Sequence, residues 1–223
     1  VDDSTANVSS VTDSKGNTYT LAVGPTVRPA STFASRTYYA SNIIGGGTAI
    51  TVTVTFDKAV SGGFYQLEYA GVSHTNPLDQ VSAGTGTGTV MNSGSKTTTV
   101  ANELIYGFGE SCGTGTIGAT FTARSTLNAN FAGDKNVTAT GTYSVDGTST
   151  ACGGWIAQMA TFKVAIDGLG FQPNAVLLTS VQDVTRAAPV AHSRFGIGAS
   201  DGTTQGSSTF ADQDVVTPTN VDA

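Results

Sequence analysis

Between positions 48 and 56 the chain alternates strictly, with Ile50, Val52, Val54 and Phe56 on one side of an extended backbone and Thr51, Thr53 and Thr55 on the other. Successive side chains of a strand point to opposite faces, so this run predicts a β-strand with one face on a core and one in water. Comparable β-branched and aromatic runs recur at 8–11, 18–23, 36–43, 49–56, 64–70, 97–100, 104–108, 119–123, 137–145 and 155–164. Turn-forming clusters separate them, among them Lys15-Gly16-Asn17, Gly45-Gly46-Gly47, Ser61-Gly62-Gly63 and Asp146-Gly147. No stretch holds helical periodicity for three turns without a glycine. Many short strands divided by turns predict an all-β fold, an antiparallel β-sandwich or jelly roll. The stretch 82–95, running through Gly84-Thr85-Gly86-Thr87-Gly88 and Asn92-Ser93-Gly94, is low in complexity and predicts a flexible loop.

A second module is expected to begin after Lys163. The strand ending Met159-Ala160-Thr161-Phe162-Lys163 is followed by Gly168-Leu169-Gly170-Phe171-Gln172-Pro173 and a new apolar run at 175–178. The organisation is therefore read as a β-sandwich, jelly-roll-like domain over 1–163 and a partial C-terminal β module over 164–223. About three strands fit in the second part, which is thin for an independent core. It either packs on the first domain or opens a domain completed elsewhere. If a neighbouring chain supplies the missing strands, exposed edges would drive assembly by strand addition.

Composition narrows the classes of function. Charged residues are 12% of the chain, so Thr, Ser, Asn and Gly must carry solubility. The net charge is −6 and the ten Lys and Arg residues form no cluster, which leaves nucleic-acid binding without an electrostatic footprint. No apolar run approaches the length of a membrane span, so membrane insertion is not expected. Val1 stands where a methionine would, and predicts a processed N-terminus such as signal-peptide removal leaves. Cys112 and Cys152 are the only cysteines, both in Gly-rich turn sequence. They are expected to pair in a disulfide that closes a loop of about 40 residues, contributes about 4 kcal/mol, and implies an oxidising compartment.

Residues 8 to 163 carry Ser10-Val11-Thr12-Asp13-Ser14-Lys15-Gly16-Asn17-Thr18-Tyr19, Tyr38-Tyr39-Ala40-Ser41-Asn42-Ile43, Leu67-Glu68-Tyr69-Ala70-Gly71 and Trp155-Ile156-Ala157-Gln158-Met159-Ala160-Thr161-Phe162. This stretch resembles a widespread bacterial family of secreted β-sandwich modules that lie within large surface proteins. Residues 168 to 214, from Gly168-Leu169-Gly170-Phe171-Gln172-Pro173-Asn174-Ala175-Val176 through Phe195-Gly196-Ile197-Gly198 to Ser200-Asp201-Gly202, resemble the opening of a module of phage and phage-like virion proteins. The resemblances imply a structural part on an extracellular surface or a virion, and neither brings a catalytic motif.

Candidate chemistry is sparse. Gly109-Glu110-Ser111-Cys112-Gly113 matches a nucleophile pattern that works only at a sharp strand-to-helix turn, and a poor helix former, Thr114-Gly115-Thr116-Ile117-Gly118, follows. A triad would need His74 or His192 beside that serine, but both sit in turn or strand sequence of structural character. The glutamates are Glu68, Glu103 and Glu110, and Glu68, which could line a concave sheet, has no second carboxylate two or four residues away, as a glycosidase strand would. Gly113-x-Gly115-x-x-Gly118 lacks the βαβ frame of a dinucleotide site. No catalytic residue and no resident cofactor is assigned. Weak calcium candidates are the turn aspartates Asp201, Asp212 and Asp214. Asn7-Val8-Ser9 and Asn136-Val137-Thr138 are glycosylation acceptors only where the host glycosylates.

Binding without catalysis is the open alternative. Tyr38, Tyr39, Tyr65, Tyr69, Tyr106 and Trp155 are flat, partly polar rings of the kind that stack on sugars from a sheet face, although Trp155 shares its strand face with Met159 and suits a core equally well. The expected function is a non-enzymatic structural or adhesive β-sandwich module, with carbohydrate binding as the first alternative and a hydrolase as the second. Expected partners are other protein modules, copies of itself in a homo-oligomer, or a cell-surface glycan, and no nucleic acid.

Overall fold

The computed structural model describes residues 1–45, 49–150 and 153–165, and the backbone of four strands beyond them. Backbone contacts divide the chain into a unit over 1–165 and a unit over 166–223. Fourteen strands make the first: β1 (Val8–Asp13), β2 (Thr20–Val27), β3 (Ala34–Tyr39), β4 (Val52–Phe56), β5 (Leu78–Gly86), β6 (Val90–Asn92), β7 (Lys96–Thr97), β8 (Glu103–Ser111), β9 (Gly115–Ile117), β10 (Thr122–Ser125), β11 (Phe131–Val137), β12 (Thr142–Tyr143), β13 (Asp146–Ser149) and β14 (Trp155–Lys163). In the second unit β15 (Leu178–Gln182), β16 (Arg194–Ser200), β17 (Gln205–Asp212) and β18 (Val221–Asp222) pair in that order as an antiparallel sheet. The protein is all-β, and every strand pair is antiparallel.

A five-stranded sheet of order β10-β11-β8-β14-β5 forms the middle of the first unit. Strand β14, between β8 and β5, is buried continuously from Trp155 to Thr161, because both of its faces are covered. On one face sits the three-stranded sheet β6-β13-β9. Met91 and Ile117 from that side interleave with Ile105, Phe131, Trp155, Ala157 and Met159 of the large sheet, and Val145 closes the cluster. The sheets come together where glycines leave room: a Cβ on Gly84 would lie 2.0 Å from the Asn92 carbonyl oxygen, and one on Gly107 would lie 2.7 Å from Val145.

The β2-β3 hairpin covers the opposite face. Gln158, 1% exposed, points from β14 into it and satisfies all its polar atoms there. Thr37 Oγ1 donates to its Oε1 at 2.8 Å, and its Nε2 donates to Thr26 Oγ1 at 2.8 Å and to the Ser35 carbonyl at 3.1 Å. Tyr39 meets Phe162 edge-on at 5.6 Å.

The threonine-faced strand is present as β4, paired with β1; Thr53 and Thr55 are exposed while Val52, Val54 and Phe56 are half-buried. Its neighbour turn is held by Asp13, whose carboxylate accepts from the backbone N–H of Lys15 and Asn17, from Asn17 Nδ2 and from Tyr19 OH. Those four donors hold the Asp13 carboxyl far below the ordinary carboxylate range against a desolvation cost that raises it.

Several expectations fail, and of the predicted strands over 97–100, 119–123 and 137–145 only Thr97, Thr122, Ala123, Val137, Thr142 and Tyr143 lie in strands. The stretch 82–95 is no loose loop, since β5 extends through Gly86 and β6 follows after a short turn. Gly84 and Gly86 are strand residues facing Asn92 and Trp155. The stretch 64–70 forms no strand: Tyr65, Leu67 and Tyr69 alternate inward, but no ladder partner lies beside them.

A cleft beside Tyr69 and Arg124

The even-numbered face of β8 and β11 that the hairpin leaves free carries Leu104, Tyr106, Phe108 and Asp134, and the irregular 57–77 segment lies over it. Tyr65 packs on Phe108 with ring centroids 5.4 Å apart, donates to the Leu127 carbonyl at 2.8 Å and accepts from Asn130 Nδ2 at 3.1 Å. Tyr69 donates to Asp134 Oδ2 at 3.0 Å. Arg124, next to the bulge of β10, donates to the same carboxylate through Nε at 2.5 Å and Nη2 at 3.0 Å. Asp134 is 4% exposed and the Arg124 side chain 48% exposed, so the arginine lids a buried carboxylate while its remaining edge faces water. Burial, followed by the Asp134 charge, pushes the Tyr69 phenol well up, and Tyr69 therefore stays a donor at physiological pH.

A cleft of about 290 Å³ opens here, lined by Tyr69, Asn102, Leu104, Arg124, Asp134 and Asn136 among others. Asn102 and Asn136 are exposed. Among the described residues its lining contains no histidine, cysteine or serine, and its one carboxylate is committed to Arg124 and Tyr69. Such a wall offers the hydroxyls of Tyr69 and Thr138, two amides and the free edge of Arg124 as hydrogen-bonding groups.

The other candidates are scattered. Of the six rings, Tyr65, Tyr69 and Tyr106 share this face, while Tyr38 and Tyr39 belong to β3 in the hairpin. Trp155 is in the core, 7% exposed against Gly86, with its buried Nε1 lacking a partner, so it cannot stack on a surface ligand. Ser111 is 7% exposed and donates to the Gly113 carbonyl at 2.7 Å, turned into its own loop rather than toward a base. His74 and Glu68 are exposed, and His192 lies outside the described residues. Glu103 and Glu110 occupy opposite ends and opposite faces of β8, about 23 Å apart at a strand's rise, too far to act on one glycosidic bond. Glu110 instead pairs with Arg28 at 2.6 Å.

Cys112 Sγ lies among the backbone N–H groups of Gly153 and Gly154, at 2.8 and 3.2 Å, and no cysteine is free among the described residues. Cys152 is outside them. Asp201 and Asp214 are outside as well, and Asp212 is described only as backbone at the end of β17. Among the described residues no three His, Cys, Asp or Glu side chains gather as a metal cluster, and no helix is long and apolar enough to cross a membrane.

Sequence reasoning missed the Arg124–Asp134–Tyr69 arrangement. Its members are ten and 55 residues apart, brought together by a bulged strand pair and a segment without regular structure, and no spacing rule signals that. No family model, curated protein or solved structure matches the chain.

Proposed function

We infer that the protein is a non-enzymatic structural or adhesive β-sandwich module of an extracellular surface or a phage virion. The observation that supports this reading is the cleft, where the one lining carboxylate is saturated by Arg124 and Tyr69 and so leaves the Thr138 hydroxyl no free carboxylate base in the described lining. The setting of Cys112 supports a Cys112–Cys152 disulfide and hence an oxidising compartment. Protein recovered from its native source is expected in an envelope, secreted or virion fraction, with the two cysteines joined in non-reducing peptide maps. Recovery from the cytosol with two free thiols would overturn the reading.

Glycan binding is the second reading, favoured by one feature: Tyr69 shares the cleft with Asn102, Asn136 and the free edge of Arg124, a ring beside planar hydrogen-bonding groups. A glycan array should then show selective binding that Tyr69→Ala weakens about tenfold or more, equivalent to about 1.4 kcal/mol. A blank array, or binding indifferent to this substitution, would remove the cleft from consideration.

A further inference from the structure

One end of the large sheet carries a group that the cleft does not use. Glu103 begins β8 and is fully buried, with neither carboxyl oxygen in a well-formed hydrogen bond and the Thr161 hydroxyl as the donor beside it. Register places it directly beside Lys163 of β14 and Val137 of β11. Across β14, β5 brings Asp79, whose carboxylate accepts from both the backbone N–H and the hydroxyl of Thr99 and comes within hydrogen-bonding reach of Glu103. Thr161, also buried beside Glu103, takes a hydrogen bond from the Gln80 N–H on its hydroxyl oxygen. Lys163 is the cation facing the pair, and its ammonium donates to the Asn76 carbonyl at 3.3 Å instead of closing on either carboxylate. The remaining neighbours, Val137, Thr98 and Thr99, carry no charge.

Two carboxylates within hydrogen-bonding reach of each other cannot both stay ionised, and a single threonine hydroxyl does not offset the cost of a buried charge. A single proton resolves both problems. With Glu103 as the acid, its O–H donates to Asp79, Asp79 keeps its Thr99 bonds, and the other Glu103 oxygen keeps the Thr161 hydroxyl beside it. We propose that Glu103 and Asp79 share one proton and form a pH-sensitive latch that ties β8 and β14 to β5 and to the Thr99 segment, closed in mildly acidic surroundings and strained once the proton leaves. Burial, with the Asp79 carboxylate adding to it, pushes Glu103 up to about 7, whereas Thr99 and the shared proton hold Asp79 low.

The direction of the effect follows. Below about pH 4.5 folded and unfolded chains both hold the proton. Between 4.5 and about 7 only the folded chain holds it, so stability falls as pH rises, and above 7 the loss is complete and constant. Glu110, which burial also raises against the pull of Arg28, contributes in the same sense and is the control.

The test is denaturant unfolding of the full chain from pH 4.5 to 8.5, paired with carbon-detected NMR titration of the Glu103 carboxyl. The wild type should lose roughly tenfold in folding equilibrium constant across the window, after allowance for screening near the sheet end. Glu103→Gln keeps a donor toward Asp79 and should abolish that share of the slope, while Glu110→Gln should leave it. Asp79→Asn should instead supply an amide donor to Glu103 and move its titration down toward the ordinary range. A Glu103 carboxyl that titrates near 4.5 in the wild type, or an unchanged slope in Glu103→Gln, would overturn the proposal. Should Glu103→Gln fail to fold, the NMR titration of wild type and Asp79→Asn decides alone.

Discussion

Gly109→Ala should destabilise the protein by about 3 kcal/mol, a large effect for the addition of one methyl group. Gly109 lies toward the C-terminal end of β8 and faces Phe131 of β11 in direct register. A Cβ there would lie 2.1 Å from Phe131 Cζ and 2.3 Å from Cε1, well inside van der Waals contact. The ring cannot swing clear. It is fully buried, and the spaces over Gly147 and Gly115, where a Cβ would come within 3.0 and 3.2 Å of it, are already filled. Three glycines from β8, β9 and β13 thus form a cradle in which one phenyl ring fills the space that three side chains would otherwise take. Unfolding in urea should show the loss as a shift in midpoint at constant slope. Gly88→Ala, at a position with nothing within 4 Å of a new Cβ, should stay within about 0.5 kcal/mol. Because the clash is with one side chain, Gly109→Ala combined with Phe131→Leu should cost clearly less than the sum of the two single changes. Additive losses, or a Gly109→Ala as mild as the control, would show that the cradle is not tight.

The cradle also explains what sequence pattern could and could not reveal. Alternation of Thr51, Thr53 and Thr55 with Val52, Val54 and Phe56 correctly gave β4, because a half-buried strand writes its two faces into the chain. Trp155 and Met159, two positions of like parity on one strand, both reached the core. Glycine was harder to read. Gly84-Thr85-Gly86 looks like a flexible loop, yet its glycines recur with period two because alternate residues of β5 must let Asn92 and Trp155 come close. The 64–70 stretch errs the other way: its side-chain period is that of a strand, but period two reports which side is covered and says nothing about whether a neighbouring edge is available for ladder bonds. The cleft and the Glu103–Asp79 pair were illegible for a related reason. Each depends on register between strands distant in sequence, and a lone Asp or Glu in a strand looks like any exposed charge until its neighbours are known.

Gln158→Leu should cost about 2–4 kcal/mol and loosen the β2-β3 hairpin selectively. Leucine has the volume and apolar character of its neighbours, so a core that tolerated it would show the polar contacts to be dispensable. The geometry says otherwise. Gln158 is the single side chain that answers two hydroxyls and a backbone carbonyl at once, and the Ser35 carbonyl fixes which end of the amide is the donor. Without it, the half-buried Thr26, Thr37 and Ser35 each lose a partner. Hydrogen exchange should rise first across residues 20–39, while the amides of β8 and β11 keep their protection. Gln158→Glu separates shape from hydrogen bonding, since it keeps the size but places a carboxylate oxygen against the Ser35 carbonyl. Its burial disfavours ionisation in the folded state, so its penalty should be small below about pH 4, where unfolded glutamate is also protonated, and grow as pH rises. Equal stability of the leucine, glutamate and native proteins at pH 7 would mean that the hairpin is held by its apolar contacts alone, such as Tyr39 on Phe162.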